Sequence, residues 1–190
     1  MKLFLASKSP RRAQLLEQLG LAFDTLDIDI AEVPLPGEAA EDYVRRLARE
    51  KAGAGLLQVA AVSGACVIGS DTEVVLDGEI FGKPIDVDDA ERMLHRLAGR
   101  EHQVLTAVAV LSPEREAESV QISTVRFAEM SPDTIRRYVA SGEPLGKAGG
   151  YAIQGRAAAY IEHLSGSYSG AMGLPLHETS RLLAASGLLV

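Results

Sequence analysis

Apolar positions change their spacing along this chain so that strands alternate with helices. Leu3-Phe4-Leu5-Ala6 is a short apolar run that predicts a strand over 2–6. Leu15, Leu16 and Leu19 then share one side of a helix over 10–19. A strand at 23–29 leads into a loop with Pro34 and Pro36, and a long helix is expected over 39–57. The β-branched run at 66–76 predicts a strand, and Asp77-Gly78 is a hairpin signal leading into Glu79-Ile80-Phe81. A helix at 87–98 closes at Gly99, and strands at 102–111 and 119–129 pair across Pro113-Glu114-Arg115. Ser131-Pro132 starts a helix that ends at Gly142. A strand at 158–164, a Gly/Ser loop and a helix from 175 complete the order. Hairpins beside helical crossovers predict an α/β fold with a mixed sheet. No repeat or linker divides the 190 residues, so one domain over 1–190 is expected.

Composition then narrows the class. A hydrophobic fraction of 47% and a charged fraction of 24% are those of an ordinary globular protein. The net charge of −7 argues against a nucleic-acid or anionic-membrane partner, which calls for a basic face. A small anionic ligand needs only a local basic pocket and stays open. The single cysteine, Cys66, permits no internal disulfide and suits a reducing compartment. No apolar run reaches spanning length and no leader pattern opens the chain, so a cytoplasmic protein is expected.

Candidate chemistry starts at Ser7-Lys8-Ser9-Pro10-Arg11-Arg12. Ser9 suits an N-cap and Pro10 the first helical position. Arg11 and Arg12 then fall in the first turn, where the helix dipole disfavours positive charge. Free N–H groups, the Ser7 and Ser9 hydroxyls and two guanidinium forks converge, which suits a phosphate. Two solvated surface arginines are the plainer alternative.

Three further segments carry anomalies. At about 100° per residue, Val44, Leu47, Ala48 and Lys51 share the apolar face of the helix at 39–57. An ammonium there either meets an anion or snorkels to water. Asp71 interrupts the β-branched strand beside Gly69 and reads as a carboxylate held in a cleft, able to ligate Mg²⁺ or Mn²⁺ or orient water. A solvated strand end is the alternative. Lys83 follows the hairpin as a further cation for a polyphosphate. The glycine-rich stretch from Gly146 to Arg156 offers close backbone approach, the Lys147 ammonium and the Gln154 amide, which can read a base edge. Gly142 to Lys147 has the wrong spacing for a P-loop, and Tyr168 stands where a nucleophile elbow needs serine. His95, His102, His163 and His177 lack metal-ligand spacing.

Taken together, these blocks resemble the Maf family of nucleoside triphosphate pyrophosphatases. The resemblance runs through Leu5-Ala6-Ser7-Lys8-Ser9-Pro10-Arg11-Arg12, Leu47-Ala48-Arg49-Glu50-Lys51-Ala52, Gly69-Ser70-Asp71-Thr72 and Gly82-Lys83-Pro84. It continues through Lys147 to Gly155 and ends on Gly173-Leu174-Pro175-Leu176. It implies cleavage between the α- and β-phosphates with a divalent cation, Mg or Mn. It also implies an inosine-triphosphatase-like (Maf/Ham1-type) fold, an elongated mixed sheet with flanking helices in two lobes around a central cleft, and a homodimer. The family's catalytic carboxylate falls on Asp71, a second acidic metal position on Glu32, and phosphate contacts on Ser7, Arg12, Lys51 and Lys83.

Arg11, Thr72 and Gln154 resemble the branch acting on dTTP and UTP, where the 7-methyl-GTP branch carries Trp, Gln and Glu. An arginine repels a cationic methylated purine, and Gln154 suits an imide edge. Pyrophosphatases for modified or purine nucleotides, and a nucleotide-binding regulator of cell division without turnover, are the alternatives. Two departures from the family pattern stand out. Gly170-Ala171-Met172 replaces Asn-Val-Val, and Glu73 replaces an aliphatic residue. By strand alternation Glu73 and Asp71 share a face, where Glu73 either joins the metal site or raises the pKa of Asp71.

Overall fold

The computed structural model describes residues 1–188, so the last two positions of the expected 1–190 unit lie outside it. Seven strands form one mixed sheet: β1 (Lys2–Ala6), β2 (Phe23–Leu26), β3 (Ala65–Leu76), β4 (Glu79–Phe81), β5 (Glu101–Leu111), β6 (Glu116–Phe127) and β7 (Ile161–Ser165). Their order is β2-β1-β3-β5-β6-β7, with β4 also paired to β3. β1 runs parallel to β2 and β3, and the remaining pairings are antiparallel. The helices are α1 (Pro10–Glu17), α2 (Ala40–Gln58), α3 (Val87–Leu97), α4 (Pro132–Val139), α5 (Tyr168–Met172) and α6 (Leu176–Ala185).

Alternation along the strands decides which helix covers which face. Leu105, Ala107 and Ala109 of β5 pack with Val44, Ala48 and Ala52 of α2. On the other face, Val108 and Val110 pack with Leu15 and Leu16 of α1 and Leu183 of α6. Farther along the sheet, Val104, Val125 and Phe127 meet Leu94 of α3 and Ile135 of α4. The expected mixed sheet with flanking helices is therefore present.

Helix α1 ends at Glu17 rather than 19, α4 at Val139 rather than Gly142 and β6 at Phe127 rather than 129, and four further differences bear on the architecture. β2 stops at Leu26, short of the expected 29, and β6 begins at Glu116 rather than 119. The strand expected at 158–164 begins only at Ile161, because Arg156–Tyr160, with three consecutive alanines, forms a tight 3₁₀ turn. The Gly/Ser loop contains α5, whose start is capped when the Ser167 hydroxyl accepts from Gly170 N–H at 2.9 Å.

One topological detail positions the candidate site. On one edge β3 pairs with β1 from Ala65 to Ile68 and with β4 from Val74 to Leu76. Gly69 to Glu73 have no strand partner on that edge, although β5 pairs with them on the other. The sheet is thus interrupted beside its central strand. Across this gap, α2 lies unusually close to the backbone. A Cβ built on Gly69 would stand 2.2 Å from the Ala48 carbonyl oxygen and 2.5 Å from Ala52 N. Glycine is required there by contact, not by its dihedral angles.

Candidate active site

A cavity of about 600 Å³ opens at the gap in the sheet. Its walls include Arg11 and Arg12 from α1, Glu32 from the loop after β2, Lys51 from α2, Asp71, Thr72 and Glu73 from β3, and Lys83 after β4. Ser7, Ser9, Lys147 and Gln154 also line it. Every candidate catalytic, substrate-binding and metal residue read from the sequence therefore reaches one cavity, from Ser7 to Gln154.

The two faces of β3 hold two different groups. The face bearing Gly69 also bears Asp71 and Glu73, and it turns toward α2. There the Lys51 ammonium donates to Asp71 Oδ1 at 2.6 Å and pairs with Glu32 Oε1 at 2.6 Å. Lys51 is 8% exposed, so its helix-face position reflects an anion rather than snorkelling. Lys83 holds the other oxygen of Glu32. Partial burial alone would raise the Glu32 pKa, but hydrogen bonds from Lys51 and Lys83 outweigh it and hold the carboxyl at about 2. Asp71, 3% exposed, is a buried carboxylate and not a solvated strand end. Its Oδ2 has no hydrogen-bond partner among the described residues. Glu73 is on the same face as expected, and burial, followed by repulsion from Asp71 and Glu32, pushes its carboxyl up to about 8.

The opposite face of β3 positions Arg12. Its Nε donates to the Gly173 carbonyl at 2.8 Å, one terminal nitrogen to Thr72 Oγ1 at 3.2 Å and the other to Ser7 Oγ at 3.5 Å. Burial lowers the Arg12 pKa, while Asp71 and Glu32 oppose that shift. Ser70 Oγ lies 3.0 Å from the same Gly173 carbonyl and 2.8 Å from that of Ala107. Thr106 Oγ1 lies 3.0 Å from Thr72 Oγ1 and 2.8 Å from the Gly170 carbonyl. Thr106 was not singled out from the sequence. The only available signal was a hydroxyl inside the apolar stretch Val104-Leu105-Thr106-Ala107-Val108.

The start of α1 departs from expectation in one respect. Ser9 is the N-cap residue, yet its hydroxyl makes no capping bond. Instead Ser9 N–H donates to Ser7 Oγ at 3.1 Å. Pro10, Arg11 and Arg12 of this first turn line the cavity, and the first N–H groups of a helix have no acceptor within it.

Across the cavity, Arg11 and Lys147 form a second cationic wall. Burial lowers both pKa values, and Arg11 further lowers that of Lys147. The Lys147 ammonium donates to the Glu143 carbonyl. Glu143, also not foreseen, secures the loop that carries Gln154. Its carboxylate accepts from Tyr138 O–H at 2.8 Å, Arg156 N–H at 3.0 Å and Ala157 N–H at 3.4 Å. Gly149 has φ 66°, and a Cβ there would stand 2.8 Å from Val74, so this loop packs directly on β3. Among the described residues no three carboxylate, imidazole or thiol groups gather closely enough to hold a metal ion by themselves.

This constellation, buried carboxylates on one side of a cavity and six cationic side chains around it, is that of a site for a phosphorylated ligand. The chain belongs to the Maf family, matching the description Maf-like protein over residues 2–186. It is 57% identical to the dTTP/UTP pyrophosphatase of Xanthomonas campestris pv. campestris, over 97% of this chain and 98% of that one. Against the dTTP/UTP pyrophosphatase of Methylococcus capsulatus it is 52% identical, over 99% of this chain and 92% of that one. The crystal structure of the nucleoside-triphosphatase / dITP/XTP pyrophosphatase of Mycobacterium abscessus superposes with a TM-score of 0.43 and 18% identity, covering 68% of this chain and 76% of that one.

Proposed function

We propose that this protein is a nucleoside triphosphate pyrophosphatase that hydrolyses dTTP and UTP to the monophosphate and pyrophosphate, removing these nucleotides from the pool. The observation that carries the reading is the pairing, in one cavity, of buried Asp71 with Arg11, Arg12, Lys51, Lys83 and Lys147. The names of its full-length relatives support the same activity and the same pair of substrates. A water oxygen attacks the α-phosphorus, the bond from that phosphorus to the bridging oxygen breaks, and pyrophosphate leaves. Asp71 takes the proton from the attacking water. Arg12, Lys51 and Lys83 neutralise the charge on the transferring and leaving phosphates, the main demand of phosphoryl chemistry. Ser7, Ser9 and the first turn of α1 orient the phosphate chain. Arg11, Thr72 and Gln154 face the base, with the Gln154 amide matching the donor and acceptors of the uracil or thymine imide edge.

We further propose that Asp71 and Glu32 hold a divalent cation, Mg²⁺ or Mn²⁺. The fit rests on Asp71 Oδ2, a buried carboxylate oxygen without a partner and a hard donor suited to either ion. When bound, the cation supplies further neutralisation of the phosphate oxygens. A cytoplasmic location and a homodimer belong to the same reading, and fractionation and sedimentation test them.

The deciding experiment is a nucleotide panel with pyrophosphate detection, run with Mg²⁺ and with Mn²⁺, on the wild type and Asp71→Asn. Expected are dTTP and UTP as preferred substrates and a loss of about 10³-fold or more in Asp71→Asn, with nucleotide affinity largely kept. Preference for 7-methyl-GTP or inosine triphosphate would overturn the substrate assignment. Near-normal turnover by Asp71→Asn would overturn the role of Asp71, and tight binding without turnover in the wild type would make the protein a nucleotide-binding regulator.

A further inference from the structure

Glu73 stands apart from Asp71 and Glu32, the two other carboxylates at the gap in the sheet. Glu32 has two ammonium partners, and Asp71 has one on Oδ1. Glu73 takes part in no ion pair or hydrogen bond among the described residues, although it is only 7% exposed and lines the cavity. Its Oε2 and Asp71 Oδ2 are the two buried oxygens of the site with no partner. Both side chains project from the same face of β3, two residues apart, at the gap where no neighbouring strand intervenes.

A buried carboxyl group without a hydrogen-bond partner is costly to retain, whether it is charged or neutral. The available ammonium groups do not satisfy it. Lys51 is committed to Asp71 and Glu32, and Lys83 to Glu32. What the two orphan oxygens share is the chemistry of a hard divalent cation, which takes one or two carboxylates and completes its shell with water and substrate phosphate.

We propose that Glu73 is a metal ligand, and that Asp71 Oδ2 and Glu73 Oε2 together form the seat for a divalent cation on β3. Glu32, already neutralised by two lysines, contributes less to the affinity than Glu73 does. The proposal rests on the reading that Asp71 holds the metal, and it adds Glu73 to Asp71 and Glu32 as the stronger of the two supporting carboxylates. A seat built from one strand is preformed, since β5 fixes β3 throughout the segment. Cation binding on this strand therefore does not require the nucleotide.

The test is Mn²⁺ titration of the nucleotide-free, EDTA-stripped protein, followed by the loss of the free-ion paramagnetic resonance signal. Wild type, Glu73→Gln, Glu73→Asp, Asp71→Asn and Glu32→Gln are compared, and melting in EDTA confirms that each is folded. Glu73→Gln is expected to weaken Mn²⁺ binding about tenfold or more, Glu32→Gln by less, and Glu73→Asp to restore part of the loss. Addition of Mn²⁺ should raise the melting temperature of the wild type and raise that of Glu73→Gln less. Wild-type affinity in Glu73→Gln together with loss in Asp71→Asn would overturn the role of Glu73 and leave the metal reading of Asp71 standing. Unchanged affinity in both variants, or no binding by the wild type at millimolar Mn²⁺, would overturn both.

Discussion

Lys51 shows how a single side chain ties α2 to β3. Its ammonium lies 2.6 Å from both Asp71 Oδ1 and Glu32 Oε1 and is nearly excluded from water. Removing one member of such a group leaves the others buried and uncompensated. Lys51→Met is expected to lose on the order of 3 kcal/mol of stability as well as turnover, measured by urea denaturation and steady-state kinetics. A loss below about 1 kcal/mol would show that the pairing is weak. Thr106→Val conserves shape but removes the hydroxyl held by Gly170 and Thr72. It should raise KM several-fold with kcat kept, and cost about 1–2 kcal/mol through the unsatisfied Gly170 carbonyl. A fall in kcat at constant KM would count against a positioning role. Lys51 was legible in the sequence because helical period alone assigns it to the apolar face. Thr106 and Glu143 were not, because their partners lie many residues away and only the fold brings them together.

At the scale of elements, the decisive feature is the gap that β1 and β4 leave along one edge of β3. Alternation placed Asp71 and Glu73 on one face, and the Asp77-Gly78 turn was readable as a hairpin. Where the neighbouring strands stop was not readable, since it depends on the register of β1 and β4 rather than on residue pattern. The same segment explains the strictness of Gly69. A methyl group there would meet the Ala48 carbonyl and Ala52 amide, which are backbone atoms of α2. α2 must therefore move, taking Lys51 from Asp71. Gly69→Ala is expected to lose about 3 kcal/mol or more and to lower turnover even where folding is restored at low temperature. Thermal melting and activity at 10–25 °C check this, and a variant with wild-type melting would refute the close packing. The loop carrying Gln154 should respond differently. Glu143→Ala removes three bonds to its carboxylate, and raised KM with kcat nearly kept is the expected kinetic signature.

For the molecule as a whole, pH tests whether the core at the α3–α4 end behaves as packed. His102 is 3% exposed, with Nε2 2.7 Å from the Tyr151 hydroxyl and its ring beside Phe127. Burial lowers its pKa from 6.5 to about 4. Above pH 6.5 the ring is neutral in both folded and unfolded chains and contributes no pH dependence. As pH falls from 6.5 toward 4 the unfolded chain binds a proton that the folded chain refuses, so stability is lost across that window. The shift corresponds to on the order of 3 kcal/mol. Glu32 adds a further loss between pH 4.5 and about 2, and Glu73 runs the other way between 4.5 and about 8. A difference between two proteins removes both of these contributions. His102→Gln keeps an amide beside Tyr151 but does not titrate. It should be less stable than the wild type at pH 8, through lost ring packing, and the gap should close by roughly 3 kcal/mol as pH falls to 4. Urea denaturation at pH 8, 6.5, 5 and 4 reads this directly. A gap that stays constant across the series would mean that the folded protein accepts the proton as readily as the unfolded chain. The imidazole would then reach water, and Tyr151, which lines the nucleotide cavity and hydrogen-bonds to it, would lack a buried support.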